Sequence, residues 1–162
     1  MAQSISDIRV VGLGKVGELL AMLLIDSGFA VTAYDFRKRA DLLFPTRMLD
    51  VRDPAAVTAA LLGSDAVVSC VPYDLTLPVA EAAHVAGVHY FDLTEDVPTT
   101  NRVLELASND PKIVYVPQCG LAPGLIGIVG SWLAKDFEAI RSIELKVGAL
   151  PRHPTGLLGY AF

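Results

Sequence analysis

Residues 8–35 constrain this chain more than any other stretch. They read Ile-Arg-Val-Val-Gly-Leu-Gly-Lys-Val-Gly, pass through an apolar helical segment, and finish on Ala-Val-Thr-Ala-Tyr-Asp. That order gives a short apolar strand, a turn with glycines at 12, 14 and 17, a helix, and a second strand ending on an acid. Each glycine answers a separate steric demand. Gly12 permits the tight turn, Gly14 lets backbone approach a pyrophosphate, and Gly17 lets the helix lie close to the strand. The helix start, at Lys15 and Val16, offers unpaired N–H groups and the positive end of the helix dipole to phosphate. Asp35 falls about twenty residues beyond the glycines, where a carboxylate accepts from ribose hydroxyls. A glycine-rich turn closing some other βαβ unit accounts for the glycines but not for Asp35. The expectation is a dinucleotide site.

A chain of 162 residues is long enough to bury a substantial core. With 52% apolar residues and a positive mean hydropathy, it suits strands covered on both faces. The net charge of −5 supplies no field for nucleic acid or an anionic membrane, and the short basic run Arg37-Lys38-Arg39 does not change that. Two cysteines, Cys70 and Cys119, make no disulfide framework. The first seven residues lack the basic and apolar regions of a signal peptide. Pro117 to Ala134 carries no charge, but its prolines and glycines read as a loop entering a buried helix rather than a membrane span. A soluble, cytoplasmic protein is expected.

Strands and helices alternate along the chain. Strands are expected at Ile8–Val11, Ala30–Tyr34, Arg47–Val51, Ala66–Val71, His89–Leu93, Ile113–Val116 and, from its alternating pattern, Ser142–Ala149. Helices are expected over about 15–27, from Pro54 to near Gly63, and over 75–86, 98–109 and 123–135. Asp53-Pro54 marks a helix start, with aspartate as cap and proline in the first turn. This pattern predicts an α/β fold of the Rossmann type, a doubly wound parallel sheet over residues 1–141, with ligands at the C-terminal strand ends. Residues 142–162 read as the start of a truncated second α/β domain, a substrate or dimerisation domain otherwise absent.

The strand ends collect the candidate site residues. Asp35 repels a 2′-phosphate and favours NAD, whereas Arg37 and Lys38 could offset that charge and admit NADP, or simply form a solvated turn. Asp50 and Val51 reach either the adenine edge or solvent. Cys70, Val71 and Pro72 line the pyrophosphate and nicotinamide ribose through backbone and packing, with Cys70 read as a small core residue rather than a nucleophile. Asp92 is the candidate base or ammonium anchor, while Glu95 and Asp96 fall to capping the next helix. Cys119 and Gly120 open a second glycine-proline loop, Cys119 to Gly124, expected as a floor under the nicotinamide with Cys119 as a polarizable wall. His84 reads as a surface or packing residue, and His89 begins a strand away from this edge. Neither histidine has metal-ligand spacing, so no metal is expected.

Four segments together resemble the saccharopine dehydrogenase family: Gly12–Gly17, Cys-Val-Pro-Tyr at 70–73, Asp-Leu-Thr-Glu-Asp at 92–96 and Cys-Gly-Leu-Ala-Pro-Gly at 119–124. Within the family the resemblance is to the lysine 6-dehydrogenase-like branch. Ala122 stands where saccharopine-forming members often carry aspartate. The resemblance implies an NAD(P)-dependent oxidoreductase acting at a carbon–nitrogen bond of an amino acid, with lysine- or saccharopine-type amines or imines as substrates. It also implies a homodimer in the full-length form, and a cofactor-binding portion here that turns over poorly by itself. Two other readings use the same first half: a non-catalytic NAD-sensing regulatory module, and the Rossmann domain of a different oxidoreductase such as an imine reductase.

Overall fold

A computed structural model describes residues 5–39 and 41–148. The described residues fall into two compact units, one through Gly120 and one from Leu121 onward. The division lies well before the expected boundary at residues 141–142.

The first unit is a six-stranded parallel sheet: β1 (Asp7–Val11), β2 (Ala30–Asp35), β3 (Thr46–Met48), β4 (Ala66–Ser69), β5 (His89–Asp92) and β6 (Tyr115–Val116), in spatial order β3-β2-β1-β4-β5-β6. Helices α1 (Lys15–Asp26), α2 (Pro54–Leu61), α3 (Thr76–Ala86) and α4 (Val97–Asn109) connect the strands, and a 3₁₀ turn over Tyr73–Leu75 precedes α3. The chain progresses outward from β1 through β2 to β3, then returns to β4 on the other side. The connections after β1 and β4 therefore leave in opposite directions and open a crevice between them.

Period-two alternation sends neighbouring side chains to opposite faces of the sheet. Val11 of β1 joins Val67, Tyr90, Val57, Val79 and Val103 in one core. Its neighbour Val10 joins Ala33, Val31 and Ala21 in the other, beneath α1. Burial of each such valine side chain stabilises the fold by about 1.5–3 kcal/mol.

Caps set the helix boundaries. The Asp53 carboxylate accepts from the Ala56 N–H at 3.0 Å, ahead of Pro54. The Asp96 carboxylate accepts from the Thr99 N–H at 2.9 Å and from the Thr99 hydroxyl, as its position before Pro98 suggested. Such caps contribute about 1 kcal/mol each. Gly87, with φ of 72°, ends α3 in the left-handed region, and the next residue, Val88, bonds back to the Ala83 carbonyl at 3.1 Å.

Several expected elements differ. β3 ends at Met48, so Asp50 and Val51 lie in the following turn, where Asp53 N–H bonds back to the Asp50 carbonyl at 3.1 Å. Among the described residues no helix joins β2 to β3, so the alternation of strand and helix is interrupted there, where the sequence also offers no helix. The expected strand over Ser142–Ala149 does not form over residues 142–148, and residue 149 lies outside the described residues. Alternation alone makes no strand. A ladder partner is required, and none pairs with this segment among the described residues. The second unit contains α5 (Leu125–Ala134), which follows a cis Ala122–Pro123 bond.

Candidate functional site

The turn after β1 is built against the end of β4. Gly12 has φ of 95°, and a Cβ there would sit 2.7 Å from the Cys70 carbonyl oxygen and 2.9 Å from the Val71 nitrogen. Any side chain at position 12 is thus strained by its backbone and blocked by its neighbour. A Cβ on Gly17 would lie 1.9 Å from the Gly12 carbonyl oxygen, so α1 can approach this closely only because residue 17 lacks one. Gly14 is different. Its φ of −71° suits any residue, and a Cβ would meet nothing within 4 Å. The protein fills the space at Gly12 and Gly17 and leaves it open at Gly14. That opening is what a pyrophosphate passing over the backbone requires.

Gly14 caps α1 without a side-chain hydrogen bond, in contrast to the aspartate caps of α2 and α4. The first N–H groups of α1, at exposed Lys15 and Val16, are left to a ligand. The acid in that first turn, Glu18, is paired with Arg39 at 2.8 Å.

Asp35, the last residue of β2, lies beside this turn. Its Oδ2 accepts from the Leu13 N–H at 2.7 Å and its Oδ1 from the Arg37 N–H at 2.8 Å. An ionised carboxylate has about four acceptor positions, so two remain for a pair of hydroxyl donors. The backbone bonds fix the carboxylate in place without exhausting it.

These groups border one cleft of about 810 Å3, inside the size range of small-molecule sites. Of the sequence candidates, Gly12, Gly14, Asp35, Arg37, Asp50, Val51, Cys70, Val71 and Pro72 line it. Lys15 and Val16 stand at the adjoining helix start, Gly17 packs beneath, and Gly120 is not among the lining residues. Phe36, Arg52, Asp74 and Leu75 line the cleft as well and were not singled out from sequence.

The basic run divides by role. Arg39 is a staple: its guanidinium bonds the Leu13 carbonyl, Glu18 and Asp41, and the bonds to Asp41 and then Glu18 raise its already high pKa further. Arg37 and Lys38 face solvent. Asp50 is held by Arg52 through two parallel bonds, Nε to Oδ1 at 2.9 Å and Nη2 to Oδ2 at 2.8 Å. That pairing draws the Asp50 carboxyl down to about 2. The Arg52 guanidinium also lies over the Phe36 ring, 5.5 Å from its centroid.

The cysteines are not activated. Burial pushes the Cys70 thiol up to about 12. Burial and the nearby Asp92 charge also raise Cys119, whose sulfur donates to the Val116 carbonyl at 3.3 Å.

Asp92 ends β5 with 0% exposure. Its Oδ1 accepts from the Thr94 N–H and the Gln118 N–H, each at 3.0 Å, and its Oδ2 accepts from the Tyr90 hydroxyl at 3.0 Å. Its carbonyl accepts from the Cys119 N–H at 2.7 Å. Burial first, then the Asp92 charge, raises the Tyr90 hydroxyl pKa. Gln118 has φ of 64°, the one non-glycine residue at positive φ among those described. The carboxylate therefore holds a strained corner after β6 and has no face open to a substrate in this arrangement. The sequence showed an acid at a strand end, but not the backbone groups that enclose it.

His84 Nδ1 lies 2.7 Å from the Tyr115 hydroxyl, which makes it a packing residue, and His89 Nδ1 accepts from the Val114 N–H at 3.1 Å. Among the described residues no group of three or more His, Cys, Asp or Glu side chains could hold a metal ion, and no helix is long and apolar enough to cross a membrane.

Residues 8–114 match the family model described as the saccharopine dehydrogenase NADP binding domain. Among solved structures, the chain resembles apo saccharopine dehydrogenase (L-Glu forming) from Saccharomyces cerevisiae, with TM-score 0.59 and 22% identity over 81% of this chain and 30% of that one. Apo scyllo-inositol dehydrogenase from Lactobacillus casei gives 0.58 and 19%, over 72% and 37% of the two chains. A short-chain dehydrogenase/reductase superfamily protein from Agrobacterium tumefaciens with bound NAD gives 0.54 and 20%, over 68% and 48%. These likenesses show a shared fold, and the chain spans less than half the length of each structure. The family match covers most of the chain and both walls of the crevice: the chain belongs to the saccharopine dehydrogenase NADP binding domain family, and its cofactor is NAD(P).

Proposed function

We propose that this chain is the cofactor-binding portion of an NAD(P)-dependent oxidoreductase acting at a carbon–nitrogen bond of an amino acid. The observation that carries the reading is the family match over the same residues that build an open Gly14 turn beside a fixed Asp35. When bound, the nicotinamide supplies a hydride acceptor for an amine-bearing carbon, which leaves an imine that water hydrolyses. The chain's part is binding and orientation. The α1 N-terminus and the backbone at Gly14 take the pyrophosphate, Asp35 takes ribose hydroxyls, and Cys70 to Pro72 form the wall toward the reacting end.

Lysine- or saccharopine-type amines are the proposed substrates, and Ala122 in the second glycine motif favours the lysine type. Asp92 enters this proposal as the residue that holds Gln118 and Cys119 in place. A proton-accepting role for it requires release from three hydrogen bonds. The enclosed Asp92 and the raised Cys119 also fit a second reading, an NAD-sensing module without chemistry.

Cofactor binding is assayed on the chain, and the two readings separate in the longer protein that the proposal implies, with NAD or NADP and a panel of amino-acid amines. Saturable cofactor binding is expected under both. Lysine-dependent NADH formation by this chain alone is not expected and would contradict its description as the binding portion. In the full-length protein, amine-dependent cofactor reduction supports the oxidoreductase. Its absence across the panel, with cofactor binding intact, favours the sensing module.

A further inference from the structure

We propose that Arg52, in the turn after β3, reads the ribose 2′-phosphate and lets this cleft accept NADP despite Asp35. The proposal rests on the cleft being the dinucleotide site. Leu49 N–H bonds the Asp35 carbonyl at 2.9 Å, so the turn carrying Arg52 starts beside the acid that faces the ribose. Phe36, the next residue after Asp35, carries the Arg52 guanidinium on its ring face. Arg52 and Asp35 both line the cleft.

The guanidinium is held on two sides. Its Nε and one Nη2 donor go to Asp50, and its plane lies over Phe36. Among the described residues no hydrogen bond uses Nη1, so its two N–H donors stand on a fork that is already oriented. An ordered fork suits phosphate, because the flexible arginine chain need not be immobilised on binding. Arg37 has no ion pair among the described residues and is exposed, so it lacks this support. Three acids, Asp35, Asp50 and Asp74, line the cleft with two bases, Arg37 and Arg52, and Asp50 is the acid paired with Arg52. The 2′-phosphate then meets the Asp35 carboxylate on one side and, from the facing turn, the Nη1 side of a guanidinium whose other side is paired with Asp50. Asp50 becomes a positioning residue: it aims the arginine without contacting the cofactor.

The test is a calorimetric titration of NAD and NADP into the chain and its variants. Arg52→Ala is expected to weaken NADP by about tenfold, which is about 1.4 kcal/mol, and to move NAD by less than about twofold. The NADP effect should shrink at high salt, as a charge contact does and stacking does not. Arg52→Lys keeps the charge without the fork and should restore only part of the affinity. Asp50→Asn should shift NADP in the same direction by a smaller factor, because the fork is no longer held. Equal weakening of both cofactors, or no change in either, overturns the proposal while leaving the cofactor site standing. Failure of the unmodified chain to bind either dinucleotide overturns both. Arg52 is exposed, and an unchanged thermal melt for each variant confirms that folding is not the readout.

Discussion

The Asp35 carboxylate accepts the Leu13 backbone N–H at 2.7 Å, so the end of the second strand is tied into the glycine turn that follows the first. One residue thereby shapes the turn and, under the proposed function, takes the ribose hydroxyls. Asp35→Ala removes both functions. The freed Leu13 N–H lies in a residue only 2% exposed, and leaving such a donor unpaired costs about 1–3 kcal/mol. Urea unfolding should show that loss, and titration should show NAD binding weakened by at least about tenfold. Asp35→Asn keeps an acceptor for one of the two backbone donors and should lose less stability than Asp35→Ala.

Asp92 separates support from chemistry. Asp92→Ala strands the Thr94 and Gln118 N–H groups and the Tyr90 hydroxyl, and should cost about 2–5 kcal/mol. Asp92→Asn can keep Oδ1 toward both N–H groups and turn its amide toward the Tyr90 oxygen, so its stability should fall by about 1 kcal/mol or less. Within the proposed oxidoreductase, a supporting Asp92 predicts that the asparagine variant retains most of kcat. A collapse of kcat with an unchanged melt would identify Asp92 as the base.

Stability should decline on the alkaline side. The Cys70 thiol rises from 9.0 to about 12 in the folded chain, and the Tyr90 hydroxyl is raised as well. Above pH 9 the unfolded chain releases the thiol proton while the native chain keeps it. Folding stability therefore falls as pH rises, by up to about 1.4 kcal/mol per pH unit for each such group, and is unaffected by the thiol below pH 9. Urea midpoints measured from pH 8 to 11 check this. Cys70→Ala should flatten part of the decline, and an unchanged slope would show that burial of the thiol is not its cause.

How much of this was legible in the sequence depends on the range of the interaction. Gly12, Gly17 and Asp35 could be read because a local turn and one βαβ unit dictate them. The Asp53 and Asp96 caps could be read because a cap bonds a residue three positions along. The enclosure of Asp92 could not, because Gln118 comes from the corner after β6, twenty-six residues away, and adopts a positive φ that its residue type does not announce. Arg39 looked like its basic neighbours, although its bond to Glu18 spans twenty-one positions. Arg52 went unnoticed for a different reason. Its partner Asp50 is only two residues off, but the ring that orders it, Phe36, lies across the cleft rim on another strand end. The expected strand at Ser142 failed because pattern specifies a face and not a partner.

Under the proposed function a dinucleotide occupies the open space over Gly14, and Gly14→Val fills that space. Its backbone conformation suits any residue and its Cβ meets no protein atom within 4 Å, so the variant should fold and melt as the unmodified chain does. Calorimetric titration of NAD and NADP into that variant should show both affinities reduced by more than about tenfold. An unchanged melt with unchanged binding would contradict the account.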